Sequence, residues 1–476
     1  MASAAARFDP NAANPYVQGV YAPVAREVTA LDLPVIGALP RELSGLYVRN
    51  GPNPRHRPRH PHHWVDGDGM LHAVRFRDGK AEYRNRWVRT RDFLADEAGG
   101  EGACGADGVL VPIRRQAGGP PYKDTANTDV VAHAGRLLAL WYVSGMPVAV
   151  DPESLETIGV EDFGGTLPRH VSAHSKVDPR TGEFVFFDYA LFEPWMAIGT
   201  VSADGRLTHH ARIELPGLRL PHDMGLTENF QILHDLPVVF SGEALRQKLW
   251  RIRTLDQPAR FGVVPRTGTN ADIRWFETDP CYIYHVVNCW EDGDEVVMVA
   301  CRMVPNNLRP DPAWGDFAPM VNVLKLCAVP VEWRMNLKTG ACTSRQLDDR
   351  IGEFPVINLD MTGRKTRTSY HVAMAPDPLM RFEAYLKYDL ETGARAEHRL
   401  PPGWAGSEPA FAPRPGGAGE DDGWLVSFVT APDGRSEVQV VDARDFEGPP
   451  VARLLLPQRV PAGFHGTFIQ DDPGLG

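Results

Sequence analysis

Apolar residues in this chain fall mostly in short runs separated by turn residues, the pattern of many brief β-strands. Arg136–Tyr142, Phe184–Tyr189, Glu295–Ala300 and Trp424–Val429 are such runs, rich in aliphatic and aromatic side chains. One turn recurs between them: Asp178-Pro-Arg-Thr-Gly182, Asn336-Leu-Lys-Thr-Gly340 and Asp389-Leu-Glu-Thr-Gly393. In each, the Asp or Asn side chain can close the turn and the glycine can take positive φ before the next strand. Tighter hairpin tips are expected at Asp204-Gly205, Asp292-Gly293 and Asp433-Gly434. Long amphipathic helical patterns are scarce. Evenly spaced hairpins along one chain suit a β-propeller or related radial array, and a pair of β-sandwiches is the alternative. Ala95–Pro121 and Pro413–Asp422 read as irregular excursions. No linker divides the chain, so residues 1–476 are read as one domain, with 1–30 an N-terminal extension packed on its surface.

Composition narrows the function more than the fold. The 476 residues carry 50 Lys+Arg against 61 Asp+Glu, a net charge of −11. That balance argues against nucleic-acid binding, which depends on neutralising phosphates. The six cysteines, at 104, 281, 289, 301, 327 and 342, form no Cys-x-x-Cys pair. Reduced, mostly buried thiols in a cytoplasmic protein are expected rather than a zinc ribbon or redox motif. The N-terminus lacks an apolar signal core, and no uninterrupted apolar run reaches membrane-spanning length. A soluble protein is expected, and a weak contact with a membrane surface stays open.

Among 16 histidines, four sit in distinctive company: His174 in Ser-Ala-His-Ser-Lys, His222 in Pro-His-Asp-Met, His285 in Tyr-His-Val-Val-Asn and His465 in Phe-His-Gly-Thr-Phe. Neutral imidazole is a favoured ligand for iron, zinc and copper. Their wide separation rules out a local metal finger and suits one ligand from each of several blades meeting on an axis. Such a cage would need carboxylates behind the rings to orient them and balance the metal's charge. A single buried or surface histidine is ordinary, and His56, His60, His62 and His63 look like a solvated loop.

The phrases around these histidines resemble the carotenoid cleavage oxygenase family. They include Arg49-Asn-Gly-Pro-Asn-Pro54, Trp64-Val-Asp-Gly-Asp-Gly-Met-Leu-His72, Ala173-His-Ser-Lys-Val-Asp-Pro-Arg-Thr-Gly182, His222-Asp-Met-Gly-Leu-Thr-Glu-Asn229 and Phe261-Gly-Val-Val-Pro-Arg266. His285-Val-Val-Asn288, Glu353-Phe-Pro-Val-Ile-Asn358, Glu408-Pro-Ala-Phe-Ala-Pro-Arg414 and Phe464-His-Gly-Thr467 continue the match in family order. It runs from about Leu43 to the C-terminus. The resemblance implies a seven-bladed β-propeller whose metal face carries a dome of loops and short helices. It implies a ferrous ion, Fe(2+), on His174, His222, His285 and His465, with Glu353 and Glu408 behind two of the rings. It also implies Thr128 near an open iron position and Trp64 near substrate. Asp66-Gly67-Asp68-Gly69 lacks the later glutamate of a calcium loop and is read as a tight turn.

One departure bears on substrate. Many family members carry a third glutamate after a strand like Leu137-Leu-Ala-Leu-Trp141, and stilbene-cleaving members show Lys-Glu there. Here the pair is Trp141-Tyr142, and both are taken as candidate pocket residues. One histidine then lacks its carboxylate, and a phenol or a water could stand in. The activity implied is cleavage of a conjugated C=C bond by O2 to two carbonyl products, by dioxygenase chemistry at a non-heme iron. An apocarotenoid is the expected substrate, an apolar conjugated small molecule bound mainly by area burial. A stilbene or phenylpropanoid alkene is the alternative. Rivals of other classes are a propeller that only binds partners and a calcium-dependent propeller hydrolase, whose site would be rich in Asp and Asn rather than His.

Overall fold

A computed structural model describes residues 12–471, apart from 59–61, 106–107, 109–121, 241–251, 305–325 and 378. The strand runs pair into seven antiparallel sheets of four or five strands, arranged as the blades of a β-propeller, plus a small hairpin, Val238–Phe240 with Ile252–Thr254. In chain order after the first, the blades span residues 129–160, 176–214, 225–278, 283–346, 352–399 and 410–455. The first blade joins Gly45–Pro52, Gly69–Arg77 and Lys80–Trp87 to a last strand from the far end of the chain, Gly466–Gln470. Gly45 pairs with Gln470 and Arg49 with Gly466, which closes the ring.

The strand patterns follow from this packing. A blade is sandwiched between two neighbours, so its middle strands bury both faces, as in Phe184–Tyr189 and Gly423–Thr430. Outer strands such as Leu207–Glu214 alternate, because only one side of the pleat is covered. The apolar clusters are correspondingly interfaces between adjacent blades: Tyr47, Val74 and Phe76 of the first meet Trp424, Val426 and Leu454 of the last. The three Asx-closed turns form as expected. Asp178 accepts from the Arg180 N–H, Asn336 from Lys338 and Thr339, and Asp389 from Glu391 and Thr392. Their glycines, 182, 340 and 393, sit at φ of +68°, +81° and +74°.

Gly199 shows how tightly one blade is closed. It faces Phe186 across the strand pair, and a Cβ there would lie 2.1 Å from the Phe186 ring. Gly199→Ala is expected to destabilise the fold by about 1–3 kcal/mol through overpacking, read as a lowered midpoint in denaturant unfolding with an unchanged slope.

Three expectations need correction. The stretch read as irregular from Ala95 begins inside an α-helix, Arg91–Gly99, whose first turn is capped by Thr90 Oγ accepting from the Phe93 N–H at 3.0 Å; most of 106–121 lies outside the described residues. The N-terminal extension is not confined to the surface. Tyr21 is buried edge-on to Trp64 and Tyr16 against Tyr21, and Thr29–Ala30 adds an outer strand to the first blade; just beyond the extension, Val35–Gly37 edges the last blade. Of the six cysteines, read as mostly buried, only Cys289 and Cys301 are fully buried, the other four being partly exposed. No helix among the described residues is long and apolar enough to cross a membrane.

Candidate metal centre

Every blade sends one segment to the axis at the start of its innermost strand. His465 leads into Gly466–Gln470, Thr128 and Asp129 open Asp129–His133, and His174 precedes Lys176–Val177. His222 precedes Gly225–Leu226, His285 lies within Ile283–Asp292, Glu353 within Gly352–Val356, and Glu408 just before Ala410–Pro413. At His285 and Glu353 the strand register shifts, a bulge that turns a side chain toward the axis. His174 and Phe354 are at positive φ, +64° and +49°, so two strained backbone positions lie at or beside the imidazoles.

The four imidazoles meet. Ring centroids are 4.7 Å apart for His174–His222, 4.9 Å for His174–His285, 4.5 Å for His174–His465, 5.2 Å for His222–His285 and 4.6 Å for His285–His465. The nitrogens of His174, His285 and His465 all lie within 4.8 Å of one another. His222 joins this group by ring contact but falls outside that tighter set of nitrogens. Nε2 of His174 and of His285 is buried without a hydrogen-bond partner. A buried nitrogen with no partner is costly, and a cation between the rings is what would satisfy several at once. The donor set is all-nitrogen and neutral, and it fits a divalent transition metal.

Two rings are tethered from behind. His285 Nδ1 lies 2.5 Å from Glu353 Oε2, which also accepts from the Phe354 N–H. His465 Nδ1 lies 2.9 Å from Glu408 Oε1, whose other oxygen accepts from the Gly466 N–H at 2.7 Å. A carboxylate on the remote nitrogen leaves Nε2 as the lone-pair donor aimed at the axis. Burial, then repulsion among the rings, holds His174, His222 and His285 well below the usual imidazole range, so they stand in the neutral, ligating form. Burial also acts to lower His465, but Glu408 outweighs it and the imidazole is raised. Burial pushes Glu353 up to about 8 and raises Glu408 against the pull of His465. A cation on the axis would draw both carboxyls back toward the charged form.

No carboxylate reaches His222. Its ring packs edge-on to Tyr284 at 4.8 Å and lies 5.8 Å from Tyr142. The Tyr142 hydroxyl is itself buried without a hydrogen-bond partner, so the phenol expected to replace the missing glutamate does not bond to the ring. Beside His222, His285 and His465 a cavity is walled by Trp64, Val65, Leu220, Tyr282, Tyr284, Leu326 and Phe464, with Thr128, Tyr142, Phe354 and Met380 completing it. Trp64, Thr128 and Tyr142 line this cavity, whereas Trp141 lines a different one, with Tyr122, Tyr189 and Phe192. Tyr142 lies in the turn that follows Trp141, and the two rings pack edge to face with centroids 6.2 Å apart. Thr128 also fixes the cage, its carbonyl accepting from the His465 N–H at 3.2 Å. The sequence gave no prominence to Phe354, packed 4.9 Å from His285 and 5.0 Å from His465, or to Asp129, Lys176 and Asp223. Their only signal was adjacency in the chain to the site residues.

A closed propeller with converging axial imidazoles and an apolar cavity above them defines a class, that of β-propeller metalloenzymes acting on apolar small molecules. Comparison with known proteins narrows it. The family model described as retinal pigment epithelial membrane protein matches residues 21–470. The carotenoid 9,10(9′,10′)-cleavage dioxygenase of Crocus sativus is 36% identical over 96% of this chain and 89% of its own. The crystal structure of Pseudomonas brassicacearum lignostilbene dioxygenase superimposes with a TM-score of 0.86 at 27% identity, covering 96% of this chain and 99% of the other. Cobalt-substituted Synechocystis apocarotenoid oxygenase gives 0.83 at 29%, covering 94% and 97%. The chain belongs to the carotenoid cleavage oxygenase family, and it is an oxygenase of that alkene-cleaving group.

Proposed function

We propose that the protein is a ferrous-iron dioxygenase that cleaves one conjugated C=C bond of an apocarotenoid, with His174, His222, His285 and His465 as the metal ligands. The observation that carries the substrate class is the cavity beside the histidines: its described lining is aromatic and aliphatic, with no lysine or arginine to pair with a phenolate. Burial of a polyene against Trp64, Tyr282, Tyr284, Phe354 and Phe464 supplies binding energy by area, about 25 cal/mol per Å2 of apolar surface. The same ring faces can stabilise positive charge developing along the polyene. When bound, ferrous iron supplies the electrons that let O2 react with an alkene. The chain's own part is positional. Glu353 and Glu408 fix the tautomers of His285 and His465, Phe354 packs both rings in place, and the aromatic wall keeps water from the reacting bond. Both oxygen atoms end in the two carbonyl products, so no further reductant is required.

A stilbene or phenylpropanoid alkene is the second reading. It is favoured by the unpartnered Tyr142 hydroxyl in the cavity wall, a group able to meet a substrate phenol, and by the likeness to lignostilbene dioxygenase. Cytoplasmic location and any contact with a membrane surface belong to this reading as expectations. Anaerobic loading with ferrous iron, then exposure to apocarotenals and to 4-hydroxystilbenes under O2, separates the two. Aldehydes from the apocarotenals, and none after iron is removed by a chelator, are expected. Turnover of hydroxystilbenes alone would move the substrate to the second class. A fully iron-loaded protein that cleaves neither would sink both.

A further inference from the structure

Two of the four imidazoles are oriented by a carboxylate on the ring, and two are not. Among the described residues, no carboxylate hydrogen-bonds to the ring of His174 or His222, yet their positions are as demanding as those of His285 and His465. His174 is the harder case, because it holds φ at +64°, a left-handed conformation that is costly for a non-glycine residue. Something in the surroundings must hold it there.

The main chain supplies what the rings lack. The His174 N–H donates to Asp129 Oδ2 at 3.1 Å, and the His174 carbonyl accepts from Lys176 Nζ at 3.0 Å. The same ammonium donates to Asp223 Oδ1 at 2.6 Å. Asp223 directly follows His222. Its Oδ1 also accepts from the Met224 N–H, and its Oδ2 accepts from the Val286 N–H, both at 2.6 Å. Val286 directly follows His285. One lysine and one aspartate thus tie together the backbones of three histidine segments on three different blades. Asp223 is buried, and the Lys176 side chain is only 20% exposed, so the pair is little screened by solvent and its geometry is fixed. Other blade-spanning ion pairs, such as Arg266 with Asp178 at 2.6 Å, touch no histidine segment and need only a structural account.

Resting on the reading of the four histidines as a metal site, we infer that Lys176 and Asp223 are positioning residues for the metal centre, a charged backbone clamp that aims the two imidazoles lacking a ring carboxylate. Asp129 completes the clamp at the His174 N–H. Without the ammonium, the His174 carbonyl loses its donor and Asp223 is left as a buried carboxylate without its counter-ion. The strained turn then relaxes and carries the His174 ring off the axis. Outer contacts that orient ligands are worth about 10–100-fold in metal affinity.

The test is ferrous affinity by anaerobic chelator competition, with the visible spectrum of the cobalt(II)-substituted protein as a direct report of ligand geometry. Lys176→Met keeps the aliphatic stem and removes the charge, while Lys176→Arg restores a cationic donor. Expected is a folded Lys176→Met protein, judged by circular dichroism and gel filtration, with ferrous affinity lowered about tenfold or more and a shifted cobalt spectrum. Lys176→Arg should recover most of both. Wild-type affinity and spectrum in folded Lys176→Met would overturn the proposal and leave the pair as a structural ion bridge. Should Lys176→Met fail to fold, Asp223→Asn carries the same comparison: weakened affinity with a shifted spectrum supports the clamp, and unchanged values overturn it. Failure of the wild-type protein to bind ferrous or cobalt ion is a separate outcome, which overturns the metal reading and the clamp with it.

Discussion

His285→Ala is expected to lose bound iron and alkene-cleaving activity while remaining a folded propeller. His285 is the most enclosed of the four imidazoles, touching the rings of His174, His222, His465 and Phe354. Removing it deletes a nitrogen donor outright, so the loss of metal affinity should exceed the roughly 10–100-fold typical of an outer contact. The fold should survive because the residue's structural partners have alternatives. Glu353 keeps the Phe354 N–H, and a carboxyl whose pKa burial has already pushed up to about 8 can take a proton near neutral pH instead of standing as an unpaired buried charge. Metal content by elemental analysis, product formation and circular dichroism on one preparation decide the matter. An iron-replete, active variant would remove His285 from the cage.

Glu353→Gln should be nearly as damaging to function and gentler on structure. The amide has the size of the carboxylate and can still accept from one N–H. It is uncharged, however, and its NH2 group can donate to His285 Nδ1 and so select the tautomer whose Nε2 carries the proton. That tautomer cannot ligate. A loss of about 10–100-fold in iron affinity or in kcat/KM is expected, with the melting temperature close to wild type. Ferrous titration and steady-state kinetics with an apocarotenal check it. Unchanged values for both would show that the 2.5 Å contact is incidental to metal binding.

The fold was legible where local chemistry decides. Phe184–Tyr189 forms the strand its side chains predict, and each Asx-Gly turn closes as drawn. What could not be read was pairing at a distance. Val35–Gly37 is a short apolar stretch with all three residues exposed and no polar alternation, so nothing in its pattern announces that it edges the last blade. The helix Arg91–Gly99 has buried residues only at Asp92, Phe93 and Asp96, and its capping threonine was the one cue to it. The histidines and Glu353 and Glu408 stood out because each sits in a distinctive phrase. Lys176 and Asp223 did not, because each reads as an ordinary surface charge until neighbouring blades bring ammonium and carboxylate together. Trp141 and Tyr142 were grouped by adjacency in the chain, but a turn begins at Tyr142 and the two line different cavities.

His465 sits at the threshold of the strand that zips the ring shut, paired with residues more than four hundred positions earlier. During synthesis, therefore, the cage is incomplete until His465 has emerged and Gly466–Gln470 has found its partner strand Gly45–Pro52. A nascent or prematurely terminated product would hold at most three of the imidazoles, and so could not assemble a reactive centre on a half-built scaffold. Conversely, an ion held by the four histidines proposed as ligands would act as a rivet across the seam. Its binding energy is then added to the work of prying the ring open, by the usual linkage of ligand occupancy to stability.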